Sequence, residues 1–271
     1  MKLPLAAALS ILTALTALAQ APSSKGVNFY SIEKEIELGQ QIAASLEKSL
    51  PILHEPKLDA YIARLGASLA AHADKRFAYR FQLYDDRNPP SAPPSPAMMF
   101  PVDALKGKPA EPIAIAGGSV FVPVSLLAEA DSEAEFAAQL AHAMAHIALR
   151  HASRLATRRQ LVDSYTPGGN PGPVAPELGL MALARRFELE ADQVAVATIA
   201  EAGYDPTAIV RYLERHRQSD SARKSQIFSA HPLVTKRLET VNAAIGELPA
   251  RTYPAASGEF DAAKALVANT H

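Results

Sequence analysis

The sequence predicts an α+β fold, mostly helical, with a small antiparallel sheet set beside two long helices. Three observations predict it. Apolar residues recur at helical spacing through most of the chain, strand-like runs are confined to residues 77–123, and a Gly/Pro-rich loop at 167–176 separates the two longest helical stretches.

Taken in order, the first segment is an apolar run through Leu18 behind Lys2, ending in Ala17-Leu18-Ala19 before Gln20. That is the pattern of a cleavable secretion signal over 1–19, too short for a bilayer span. It leaves 20–271 as a single domain, exported to the periplasm or the extracellular space. Ser31 is an N-cap for a helix reaching about Leu50, and Leu58, Ile62, Leu65 and Leu69 form the stripe of a second helix over 55–73. Residues 77–83 alternate as a half-buried strand. A proline-rich insertion follows at 88–112, with five prolines between Asn88 and Pro96. Residues 113–123 read as two short strands about Gly117-Gly118, or as one strand bent there, and their main chain is a candidate edge for an extended peptide, formed by Gly117, Gly118, Ser119, Val120, Phe121 and Val122. Ser132 and Glu135 make a capping box for a helix running to about Arg159, and a second long helix covers 177–202 and stops at Gly203. Shorter helices follow at 206–216, 233–245 and 260–267.

Composition removes several function classes. A net charge of -1 provides no basic surface for nucleic acid. With no cysteine in the chain, disulfides, thiolate ligands and an acylated lipoprotein cysteine are excluded, so any metal must be held by His, Asp or Glu.

His142 and His146 stand at i and i+4, where both imidazoles project from one helical face and can grip one ion. Alone, such a pair is commonly incidental. Glu188 and Asp192, one turn apart in the second long helix, are either a solvated face or a third ligand with a carboxylate behind it. Two histidines and one carboxylate would leave the open fourth position of a catalytic zinc site.

These residues, with Tyr30 to Gly39, Gly117 to Val122, Ala141 to His151, Arg185 to Asp192, Ala202 to Pro206 and His231-Pro232, make the chain similar to the BepA/HtpX-type zinc metallopeptidases, and most of all to their periplasmic BepA-like members. That family also contains the CAAX prenyl endopeptidases and mitochondrial relatives. The resemblance implies a zincin-like domain with one Zn2+ per chain held by His142, His146 and Glu188, and with Asp192 orienting a ligand. It places His231 at the metal cleft, as an oxyanion stabiliser or a latent zinc ligand, and matches Arg237 to an arginine that follows the His-Pro element. It implies attack of zinc-activated water on the peptide bonds of unfolded or misassembled envelope proteins, with the envelope assembly machinery as a partner.

Two departures qualify it. The family pattern is His-Glu-x-x-His, and here Ala143 occupies the place of the glutamate that takes and returns the proton, a role worth about 10²- to 10⁴-fold in rate. Gln139, Glu135 and Glu190 do not replace it on helical geometry. The other departure is Glu111-Pro112-Ile113-Ala114, where relatives read Asn-Ala-Phe-Ala, which points to a remodelled substrate edge. The chain is therefore expected to be a metalloendopeptidase that is inactive or strongly impaired as written, or a natural pseudopeptidase that binds peptides as a chaperone or adaptor.

Overall fold

The computed structural model describes residues 27–87, 99–100, 111–164, 174–221, 233–254 and 258–269. The expected leader at 1–19, most of the insertion at 88–112 and His231 lie outside the described residues.

Helix α1 (Ile32–Ser49) begins where Ser31 Oγ accepts the Lys34 N–H at 3.2 Å, as its sequence predicts. Helix α2 (Pro56–Ala70) has Pro56 in its first turn, and the Glu55 carboxylate accepts from the Leu58 N–H at 2.7 Å. The strands are β1 (Arg80–Tyr84), β2 (Met99–Phe100), β3 (Ile113–Ile115) and β4 (Ser119–Pro123), in the order β1-β4-β3-β2. β3 and β4 form the hairpin expected about Gly117-Gly118, both glycines at positive φ.

The sheet is mixed rather than purely antiparallel. β1 lies parallel to β4, a pairing open to it because the chain between them is long enough for a crossover. β4 is thus an inner strand. Val120 and Val122 face the main core with Leu83 and the α2 residues Leu58 and Ile62, while Phe121 faces the opposite side with Ile113, Ile115 and the α1 residue Leu46. Burial on both faces explains why β4 reads as a continuous apolar run rather than an alternating one.

Among the described residues six helices follow the short α3 (Val124–Glu129): α4 (Glu133–Ala148), α5 (His151–Ser164), α6 (Val174–Glu201), α7 (Thr207–Ser221), α8 (Val234–Gly246) and α9 (Gly258–Asn269). Ser132 caps α4 by accepting from Glu135 N at 3.2 Å. The helix expected to continue to about Arg159 instead breaks at Arg150, whose φ of 59° is left-handed. Such a conformation is unfavourable for arginine and is held from outside. The Arg150 guanidinium donates to buried Glu35 at 2.7 Å and also to the Tyr30 carbonyl, both at the start of α1. Among the described residues no helix is long and apolar enough to cross a membrane.

Candidate metal centre

Helices α4 and α6 form the most extensive helix pair, and β3 runs alongside α4. Buried alanines on both helices, Ala141 and Ala145 on α4 and Ala191 and Ala195 on α6, let the two axes approach. His142 and His146 project from α4, and Glu188 and Asp192 from α6, each pair one turn apart.

The four groups meet. His142 Nε2 and His146 Nε2 are 3.0 Å apart, Glu188 Oε2 lies 3.5 Å from the first, and Glu188 Oε1 lies 3.4 Å from the second. His142, His146 and Glu188 form the one group of three or more such residues, among those described, whose donor atoms could share an ion. Glu188 and His146 are buried, while the His142 side chain keeps 16% of its surface and marks the open side of the cluster.

Behind these three side chains lies a layer of fixed charge. His142 Nδ1 is 3.0 Å from Asp192 Oδ1, and Arg237 of α8 donates to both Asp192 oxygens, at 2.8 and 2.7 Å. Burial opposes charge on the His142 imidazole, but Asp192 and Glu188 outweigh it and raise its pKa to about 9. His146 goes the other way, far below the ordinary histidine range, because burial dominates there. His146 Nδ1 meets His151 Nδ1 at 3.0 Å, and His151 Nε2 lies 3.2 Å from Glu190 Oε2, which also accepts from Arg154 at 3.0 Å.

A family model described as Peptidase family M48 matches residues 96–167 and 173–245, more than half of the chain, and both matched blocks contain groups of this cluster. The chain belongs to peptidase family M48. It is 26% identical over 230 residues to the beta-barrel assembly-enhancing protease of Escherichia coli K12, covering 77% of this chain and 43% of that protein. The protein of the same name from Yersinia pestis is 24% identical over 251 residues, 84% of this chain and 47% of that one. A putative beta-barrel assembly-enhancing protease of Vibrio cholerae is 26% identical over 230 residues. The chain thus spans less than half the length of the curated relatives it matches.

Within this M48 domain the structure brings together His142, His146, Glu188 and Asp192, and gives Arg237 a definite place as the partner of Asp192. Ala143 sits between them in sequence, 2% exposed and within the main core. The supposed substrate edge requires correction. Ser119 to Val122 pair with β1 along their length, and Val120 and Phe121 also pair with β3, so β4 is an inner strand whose centre has both main-chain sides taken. Gly117 and Gly118 form the turn that leads into it. The sequence reading missed His151, since five residues beyond His146 on an unbroken helix it would face elsewhere. Glu190 lies against His151 and Arg154, and this link to His146 through His151 was not foreseen.

Proposed function

We propose that this chain is the scaffold of an exported zinc metalloendopeptidase directed at unfolded or misassembled envelope polypeptides, impaired as written because Ala143 supplies no proton acceptor. The observation that carries the reading is the convergence of His142, His146 and Glu188 at 3.0–3.5 Å. Neighbouring donors around zinc, at bond lengths of about 2.0–2.1 Å, stand about 3.3 Å apart, so the set suits that ion. When bound, zinc supplies a Lewis acid and lowers the pKa of a coordinated water to about 7. The chain's own residues hold and orient: Asp192, fixed by Arg237, backs His142 at 3.0 Å, and Glu188 stands beside both imidazoles as the third ligand.

Residues 20–271 form the working unit in this proposal, exported to the periplasm or the extracellular space by the leader at 1–19, and the family resemblance gives His231 the role of oxyanion stabiliser or latent zinc ligand. The expected leader and the relatives named for beta-barrel assembly support an envelope setting. A second reading, a pseudopeptidase that binds peptides as a chaperone or adaptor, is favoured by Ala143 itself. The two carboxylates weighed as substitutes are both engaged: Glu135 with Arg215, and Glu190 with Arg154 and Arg186.

The test is zinc content and cleavage of unfolded casein, measured on the protein as written, on Ala143→Glu, and on His142→Ala and Glu188→Ala. Expected are zinc in the first two, cleavage gained by Ala143→Glu, and sharp zinc loss in the last two. Stoichiometric zinc in both ligand variants would sink the coordination. Bound zinc without cleavage in Ala143→Glu would move the pseudopeptidase reading ahead.

A further inference from the structure

The two histidines of the cluster are backed differently. His142 Nδ1 faces a carboxylate directly, Asp192, which is paired with an arginine, Arg237. His146 Nδ1 faces another imidazole, His151, and only beyond it comes a carboxylate, Glu190, paired with Arg154 at 3.0 Å and Arg186 at 3.2 Å. Both lines end in a carboxylate–arginine pair, and the second has a histidine inserted.

The inserted ring is held as a machine part would be. His151 has no exposed surface, and its ring stacks on Phe187 with centroids 4.1 Å apart and planes within 6°. Arg154 lies over the same phenyl ring at 4.4 Å. Its approach to His146 depends on the left-handed Arg150, which ends α4 and starts α5 afresh so that His151 returns toward the ligand face. That backbone is kept in place by buried Glu35.

The hydrogen-bond contacts on these rings then favour one arrangement. An imidazole that gives its Nε2 lone pair to a metal carries its proton on Nδ1. His146 Nδ1–H must therefore donate to His151 Nδ1, which can accept only if the His151 proton is on Nε2. That proton points to Glu190 Oε2, an acceptor kept anionic by two arginines.

We propose that His151 is a positioning residue for the metal site: as the neutral Nε2–H tautomer it accepts from His146 and donates to Glu190, fixing the tautomer and ring plane of that ligand. The inference rests on the metal reading of His142, His146 and Glu188. The histidine relay makes zinc affinity depend on a residue that touches neither metal nor substrate.

The experiment measures zinc affinity by competition with a chelating dye on the full chain and on His151→Phe, His151→Gln, Glu190→Ala and the His151→Phe/Glu190→Ala double variant. Phenylalanine preserves the stack on Phe187 but cannot accept, so zinc binding weakens about 10- to 100-fold. Glutamine offers an acceptor to His146 and a donor to Glu190, and restores most of the affinity. Glu190→Ala weakens binding on its own and adds little once His151 is phenylalanine, because the line is already cut. Nitrogen NMR of the zinc-loaded parent protein shows His151 protonated on Nε2, a measurement that decides even where a variant fails to fold. A parent that takes up no zinc overturns the metal reading and the relay with it. A parent that binds zinc, with His151→Phe and Glu190→Ala binding it equally well or with His151 protonated on Nδ1, overturns the relay alone.

Discussion

Asp192 is almost wholly buried, 1% exposed, and stays ionised because Arg237 grips both its oxygens from α8. Burial pushes its carboxyl up, and Arg237 with His142 pulls it below the usual range. Removing one member of such a buried pair can cost up to about 3–5 kcal/mol, and here the neighbouring His142 imidazolium keeps part of the compensation. Arg237→Gln is accordingly expected to lower stability by up to that amount, measured by urea unfolding of the metal-free protein. An unchanged midpoint and slope would show that Asp192 finds another countercharge. The sequence marked Arg237 only through its place after His231-Pro232, with no sign of its partner, since a contact between α6 and α8 leaves no trace in local spacing.

At the scale of elements, α1 and the β3–β4 hairpin meet at Gly39. A Cβ there would stand 1.7 Å from the Ala116 carbonyl oxygen, so the helix can lie against the turn only with glycine at this position. Helix propensity alone favours Gly39→Ala by up to about 1 kcal/mol. Contact with rigid backbone reverses the sign, and the variant is expected to be destabilised by about 1–3 kcal/mol, read from the shift in thermal midpoint. A rise in midpoint would show that α1 can slide away from the sheet. The same level shows where sequence reading succeeds and fails. Ser31 and Ser132 announced the starts of α1 and α4 because a cap is a local interaction, and the two histidine and carboxylate pairs were legible because helical spacing places each on one face. The break at Arg150 was not, since nothing in the run from Leu140 to Arg159 forbids helix; the force that bends it comes from Glu35, over a hundred residues earlier. The inner position of β4 was hidden for a similar reason, as alternation cannot say which neighbours a strand will find.

Over the whole molecule, the proposed ligands are assembled only by folding. His142 and His146 come from α4, Glu188 from α6, the clamp on Asp192 from α8, and the bend that turns His151 inward is held by α1. Asn28 donating to Ser153 at 2.8 Å and Phe29 N–H donating to Thr157 at 3.0 Å fasten the start of the described chain onto α5. An unfolded chain retains at most the His142–His146 pair, so on the proposed reading zinc would bind the native state far more tightly than the denatured one. Mass action then converts binding into stability, about 2.7 kcal/mol when free zinc is a hundredfold above its dissociation constant. Stripping the metal with a chelator is expected to lower the thermal midpoint of the protein as written, and readdition of zinc to restore it. His142→Ala should unfold at one temperature whether or not the chelator is present, because its incomplete donor set no longer couples metal to fold. If the protein as written also melts identically in both conditions, the cluster is a set of buried polar contacts serving the fold alone, and Ala143 would then mark a chain that has left metal chemistry behind.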